Sequence, residues 1–427
     1  MAFAARAIMT SSNSASDPRP AASALGWRGS PVLFLTSIYF LNWLGFAFWQ
    51  ALLNNFAREQ VGFTGAEIGL LQSIREIPGF LAFTAVFLFL FLREQTLAYL
   101  SLVVLGIGIA VTGYFPTVTG LLMTTFLMSV GFHYLETANQ ALQLQLLPKA
   151  EAAKFLGRIA GWGAFAQILA YCSIWLAWDL LSPSYQTLYL VAGVATAGLA
   201  LVAASFFRRF DGPTPQRKGI VLRKRYGLYY ALTFMSGARR QIFMAFGAFL
   251  LVEKFGYSVS EISKLLIVTC LLTTFAGSRL GAFVGFIGER RTIMFENIVL
   301  ITVFLGYALA ANGVAGAASA WMAAGLFVID GVFFTLTLAQ KTYFQKIADP
   351  ADIAPTAAVA FTINHIAAVF IPFTFGLIWL RDPSIVFYIG ACLAIVSLTL
   401  SFLVPRHPAP GAETLWPANR RVAAPAE

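Results

Sequence analysis

Charge is what this sequence lacks most: Asp, Glu, Lys and Arg make up 11% of its 427 residues, where a soluble globular protein carries roughly a quarter. Hydrophobic residues make up 59% and mean hydropathy is +0.75, so the sequence reads as an integral membrane protein. Cysteine is nearly absent. Cys172, Cys270 and Cys392 share no paired spacing, which argues against a disulfide framework and a cysteine metal site. No Asn-x-Ser/Thr sequon occurs, and no HExxH, P-loop, GxSxG or Cys/His cluster, so neither an enzyme nor an ATP-driven pump is expected, and no metal or cofactor. His133 and Glu136 alone have neither the ligands nor the spacing of a zinc protease. Ten-residue alternation is also missing, which excludes an outer-membrane barrel.

What is there is a series of long apolar runs, and a helix needs about 20 such residues to cross a bilayer. Gly, Pro and charge punctuation divide them into an all-α protein of twelve transmembrane helices in two six-helix halves. The first half, 31–207, holds spans at about 31–56, 66–92, 96–114, 118–147, 153–181 and 186–207. The second, 225–404, holds spans at about 225–252, 259–288, 291–311, 316–345, 352–381 and 384–404. The segment 1–30 is Ala/Ser-rich with Arg6, Arg19 and Arg28, lacks a signal-peptide core, and reads as a disordered cytoplasmic tail in which Met9 is an alternative start; a transit peptide has a similar composition. The linker 208–224 and the following Arg225 together bring seven basic residues against the single Asp211, and 405–427 is a second tail. With both termini cytoplasmic, only Arg58, Lys254 and Arg381 fall outside the spans on the opposite side, as the positive-inside rule requires. The plasma or inner membrane is the expected location, and the basic surplus needs no nucleic-acid partner.

Two six-helix halves joined by a basic linker resemble the major facilitator superfamily over about 31–404. The segment GAFVGFIGERR, between spans eight and nine, is similar to that family's cytoplasmic loop motif through Gly281, Gly288, Arg290 and Arg291. Gly285 stands at the motif's acidic position, and the equivalent FLFLREQ of the first half is barely recognisable. The antiporter signature of span five is reduced to Gly157 and Gly161. The resemblance implies a monomeric transporter whose spans one, four, seven and ten surround a central cavity.

Polar residues inside the spans mark where such a cavity would lie. In GFHYLETANQALQLQLL, residues 131–147, the side chains of His133, Glu136, Asn139, Gln140 and Gln143 fall within an arc of about 120° on a helix. Arg75 and Glu76 lie in span two, Arg239 and Arg240 in span seven, Asp330 in span ten, Asn42 in span one, and Asn364 with His365 in span eleven. A charge at the bilayer centre costs about 2.5–3.5 kcal/mol, so Arg75, Glu76, Glu136, Arg239, Arg240 and Asp330 require partners or water. These are three cations and three anions, able to neutralise one another in static pairs or to exchange partners with a proton and a substrate. Adjacent residues on a helix point about 100° apart, so one of each Arg-containing pair is expected to face the cavity, and Arg75 and Arg239 are the expected ones. Glu136 is the expected coupling carboxylate, alternating between those two arginines, with His133 as a proton relay or a structural hydrogen-bonding residue. Trp43 and Trp49 are further expected substrate contacts.

These residues point to a secondary active transporter working by alternating access. The expected cargo is a small polar organic solute, anionic or zwitterionic before cationic, moved with protons and by symport before export. An efflux transporter for lipophilic compounds and a non-transporting membrane receptor or scaffold of the same fold are the alternatives.

Overall fold

Serine and threonine at the entries to the apolar runs set where the helices begin. In the computed structural model, which describes residues 27–89, 91–147, 152–210, 222–349 and 352–415, helix α1 (Pro31–Phe56) starts behind Ser30, whose side chain accepts from the Leu33 N–H, with Pro31 in the first turn. Helix α2 (Gly65–Phe80) starts behind a capping box of Thr64 and Glu67, which satisfies N–H groups otherwise orphaned at a helix start. It continues through a 3-10 turn, Leu81–Thr84, into Ala85–Leu88. Then follow α3 (Glu94–Thr112), α4 (Val118–Leu146), α5 (Ala152–Leu181) and α6 (Tyr185–Phe206).

The second half repeats this order. Helix α7 (Gly227–Ile242) continues through a π-helical turn, Phe243–Gly247, into Ala248–Glu253. Helix α8 (Val259–Ile287), capped by Ser258 and Glu261, ends at Gly288, where φ is +81°, a conformation a side chain would strain. Helix α9 (Glu289–Ala311) follows, then α10 (Ser319–Phe333), which runs through a 3-10 turn into Leu338–Ile347. Helices α11 (Ile353–Trp379) and α12 (Pro383–Ser401) complete the bundle. The expected tail at 1–30 lies almost wholly, the linker centre at 211–221 entirely and the end of the chain from 416 entirely outside the described residues.

No strand forms among the described residues, and ten helices are long and apolar enough to cross a membrane. The runs at 65–88 and 227–253 are not among the ten. Each is interrupted by a non-α turn and carries the intramembrane charges, Arg75 and Glu76 in one and Arg239 and Arg240 in the other.

Within the first half α3 packs on α4 and α6, and α1 on α5 and α6; within the second, α12 packs on α7 and α9. The halves meet chiefly where α2 lies on α11 and α5 on α8. Close approach of α2 and α11 depends on glycine: a Cβ on Gly69 would lie 2.2 Å from the Pro372 carbonyl oxygen, and one on Gly376 2.4 Å from that of Gly65. Both contacts lie toward the end of the bundle opposite Ser30 and Val404.

On that far side Lys264 reaches Asp179 at 3.5 Å and Asn55 donates to the Tyr257 carbonyl at 2.8 Å. Deeper in, Cys270 Sγ lies 3.6 Å from the Ala164 carbonyl oxygen. Toward the end bearing Ser30 and Val404 the same helices separate: among the described residues no other part of the chain lies within 4 Å of where a Cβ would sit on Gly157, Gly161, Gly277 or Gly281. The halves are joined on the far side and splayed on the near side.

Candidate functional site

Where the halves still touch, α2, α4, α7 and α11 bring charged side chains together at mid-depth. Arg75 donates through Nη2 to Glu76 Oε1 at 2.5 Å, and both are buried. The other oxygen of Glu76, Oε2, accepts no hydrogen bond among the described residues and faces two groups of the opposite half, His365 Nε2 at 3.4 Å and Arg240 Nη2 at 3.7 Å. Arg240 in turn donates to Asn364 Oδ1 at 3.1 Å. Glu76 is therefore the point at which one carboxylate bridges the halves.

The two imidazoles flank it. His133 Nδ1 lies 3.1 Å from the Ser129 carbonyl oxygen and 2.9 Å from its hydroxyl, and that hydroxyl donates to the Arg75 carbonyl. His365 Nδ1 lies 2.8 Å from the Phe361 carbonyl oxygen. The ring centroids are 5.4 Å apart. Gly79 leaves the room: a Cβ there would come within 2.4 Å of His365 and 2.7 Å of His133.

A second cluster lies within the C-terminal half. Arg239 donates to Asn297 Oδ1 at 3.0 Å and to Glu296 Oε1 at 3.3 Å, all three residues buried. Asp330, buried, shares a narrow cavity with Arg239, Arg240 and Glu296, and its Oδ2 has no partner.

The expected residues thus divide. Arg75, Glu76, His133, Arg240, Asn364 and His365 converge on one junction, and Arg239 and Asp330 form the neighbouring cluster with Glu296. Glu136 is half-buried and forms no ion pair among the described residues; neither Arg75 nor Arg239 is its partner in this state. Down the same face of α4, Gln140 is exposed, so the polar stripe runs from the junction out into the splayed opening. Asn42 and Asn139 are buried with unpartnered Oδ1 atoms. Trp49 is buried with an unpartnered Nε1, as is the half-buried Trp43. In the loop motif, Arg290 is half-buried and Arg291 exposed, while the buried Glu289 pairs with Lys346 at 2.6 Å.

Glu296, Asn297 and Ser129 are absent from the expected set. The signal for the first two was the adjacent Glu-Asn of FEN inside the ninth span. Between the halves a further cavity of about 90 Å³ is lined by Trp49, Asn54, Gln72 and Arg75 of one half and Phe243 and Thr269 of the other. Trp49 Nε1, Asn54 Oδ1 and Gln72 Oε1 are buried there without partners.

The profile of the family described as Major Facilitator Superfamily matches residues 35–372. Comparison with curated protein sequences finds no match. Among solved structures the chain is similar to the nucleoside transporter NupG, with a TM-score of 0.70 at 16% identity over 87% of this chain and 98% of that one. It is also similar to a bacterial homolog of the human lysosomal transporter Spinster in an inward-facing, occupied conformation, with a TM-score of 0.65 at 16% identity over 88% and 96%. A bacterial metal transporter gives 0.60 at 11% identity over 87% and 97%. At these identities the likeness is one of fold.

Proposed function

The chain belongs to the major facilitator superfamily, a fold of small-solute transporters, and from that premise we propose that it is a proton-coupled secondary active transporter. It works by alternating access on a small polar organic solute, anionic or zwitterionic in preference to cationic. The two charged runs at 65–88 and 227–253 complete twelve crossings. Both termini are cytoplasmic in the cell membrane, so the splayed end faces inward.

The observation that carries the substrate preference is Arg240. It is the most open of the three guanidiniums, 27% exposed and 3.7 Å from Glu76, and its Nε has no partner among the described residues, whereas Arg75 and Arg239 are held more closely by buried carboxylates, at 2.5 Å and 3.3 Å. A planar cation with an unused edge in a low-dielectric cavity suits a carboxylate or phosphate group. Proton coupling is supported by Glu136 and Asp330, carboxylates in the same region that form no ion pair among the described residues. A carboxylate that no ion pair ties down is free to take up and release a proton during the cycle.

Purified protein in liposomes tests this reading by counterflow of radiolabelled organic acids and amino acids with and without a pH gradient. The wild type should exchange solute and accumulate it when the outside is acidic. Glu136→Gln should keep exchange and lose at least about tenfold of the gradient-driven accumulation. No exchange of any solute, with no effect of pH, would sink the proposal and favour a receptor or scaffold.

A second reading has its own support. The Trp49, Asn54 and Gln72 groups are uncharged donors and acceptors awaiting partners, which suits a neutral hydrogen-bonding solute such as a nucleoside. Inclusion of nucleosides in the same counterflow panel separates the two readings.

A further inference from the structure

Two of the chain's three histidines meet at one carboxylate, although they come from opposite halves. One carboxylate oxygen of Glu76 and one ring nitrogen each of His133 and His365 lie within 4.8 Å of one another, all three residues are buried, and His365 Nε2 lies 3.4 Å from Glu76 Oε2. The tautomers follow from the surroundings. His365 Nδ1 faces the Phe361 carbonyl. His133 Nδ1 faces the Ser129 carbonyl and a hydroxyl whose proton is already given to the Arg75 carbonyl. Both Nδ1 atoms then carry a hydrogen, and in the neutral rings Nε2 is the nitrogen free to act as a ligand.

A carboxylate oxygen and two imidazole nitrogens gathered at one buried point offer a cation three donor atoms. An imidazole whose Nδ1–H is held by a backbone carbonyl is also the arrangement found behind metal-ligating histidines. We propose that Glu76, His133 and His365 form a binding site for a divalent transition-metal ion of the zinc, cobalt or nickel class, bridging the two halves of the bundle.

Two imidazoles and a carboxylate are the borderline-soft donor set these ions prefer, and the three ligands leave room for water or a substrate atom as a fourth. The ligand atoms must close in by about an ångström each to reach metal–ligand lengths near 2.1 Å, a movement within the reach of side-chain rotation. Arg75 occupies the other oxygen, Oε1, and orients the carboxylate from behind. Arg240 is the competitor, 3.7 Å from the oxygen the metal needs. It has an alternative partner in Asn364 and is partly open, so it withdraws when the ion enters. Metal and Arg240 are mutually exclusive occupants of Glu76 Oε2, and an ion held by α2, α4 and α11 ties the halves together at this level.

The test uses the full-length purified protein, tag removed, titrated with Co²⁺, whose visible absorption and X-ray absorption fine structure report the ligands directly. The wild type should bind one Co²⁺ with two imidazoles in its first shell. His365→Gln and His133→Gln should each weaken binding at least about tenfold, Gly79→Ala likewise by displacing both rings, and Arg240→Gln should tighten it about tenfold by removing the competitor. Helical circular dichroism and monodisperse elution establish that each variant is folded. The wild-type X-ray spectrum settles the matter without any variant: fewer than two imidazoles, or no saturable binding, overturns the proposal, as does Co²⁺ affinity indifferent to both histidine substitutions. Binding is read without transport, so failure here leaves the proposed transport reading standing, and failure of transport leaves this site intact.

Discussion

The Arg239–Glu296 pair shows how much depends on single residues here. Both side chains are about 2% exposed at 3.3 Å separation, and a charge stripped of its partner at such a position costs about 3–5 kcal/mol. Arg239→Met should therefore lower the thermal unfolding midpoint of the detergent-purified protein sharply, because Glu296 and Asp330 are left facing each other. The double variant Arg239→Met, Glu296→Leu should recover most of the loss, since replacing both partners removes the stranded charge. Fluorescence-monitored unfolding of the wild type, the single variants and the double variant checks this; equal damage in single and double variants would contradict the pairing. Adding Glu296 also changes the intramembrane balance. The three guanidiniums of Arg75, Arg239 and Arg240 stand against the four carboxylates of Glu76, Glu136, Glu296 and Asp330, so this set of seven side chains is balanced only with one further positive charge, such as a proton or a neighbouring cation. Sequence reasoning missed this because the span begun at 291 leaves Glu296 little more than one turn from the interface, where charges are ordinary. Only its pairing with Arg239 shows that it is interior. Arg239 and Arg240 both line the cavity beside Asp330, and the sequence does not show which of them is the more open: rotation of α7 about its axis is set by packing and by the π turn at 243–247, and apolar periodicity does not reveal one extra residue in a turn.

At the scale of elements, the order and ends of the helices were legible in the sequence because the signals are local. Apolar length marks ten helices as long enough to cross a membrane, and Ser30, Thr64, Ser184 and Ser258 cap the helices they precede. Which helices touch across the halves was not legible, since Gly69 against Pro372 is a contact between residues far apart in the chain. The same holds for the latch on the near side that ties the start of α7 to the start of α11. Arg223 donates to Asp352 through Nη2 at 2.9 Å and also through Nε, Tyr226 donates to it at 3.0 Å, and Arg225 pairs with Asp349 and approaches Glu413 at 3.8 Å. Tyr343 donates to the Glu413 carbonyl at 2.5 Å, so the segment after α12 is part of the latch. The hydrogen bond from Arg223, outweighing burial and assisted by Tyr226 and the charges of Arg223 and Arg225, holds the Asp352 carboxyl below its usual range. A lowered carboxylate stabilises the fold above its unfolded value, near 3.9, and that contribution is lost as pH falls through the lower folded value. The latch should accordingly be indifferent to pH between about 8 and 5 and open only in stronger acid. Asp352→Asn should open it at neutral pH, raising tryptic cleavage after the exposed Arg406 several-fold over wild type, with that ratio constant across the same pH window. A ratio that moves between pH 5 and 8 would place the controlling group elsewhere.

For the whole molecule, the asymmetry between the two ends is the feature that transport would have to reverse. The far side is closed by contacts of different kinds: tight glycine packing of α2 on α11, the hydrogen bond from Asn55 to Tyr257, and the Lys264–Asp179 pair, with Lys264 also 5.3 Å over the Trp175 ring. None is a large apolar seam, and an exposed ion pair contributes at most about 1 kcal/mol, so closure is the sum of weak contacts and can be undone by the binding energy of a solute. Alternating access requires these contacts to break each cycle while the splayed ends of α5 and α8 come together. A covalent bridge across the far side should therefore stop transport without harming the fold. With Cys172, Cys270 and Cys392 replaced by serine, Asp179→Cys and Lys264→Cys joined by a short bifunctional thiol reagent should reduce solute counterflow to about a tenth or less of the unbridged protein, since the far-side opening step is gated by this contact. Cleaving a reducible linker should restore it. Solute binding measured at equilibrium from the near side should survive bridging, because the splayed opening still admits ligand to Arg240. Transport that continues at an undiminished rate with the bridge in place would mean that the far side never opens, and the junction at Glu76 would then serve a bundle that binds without carrying.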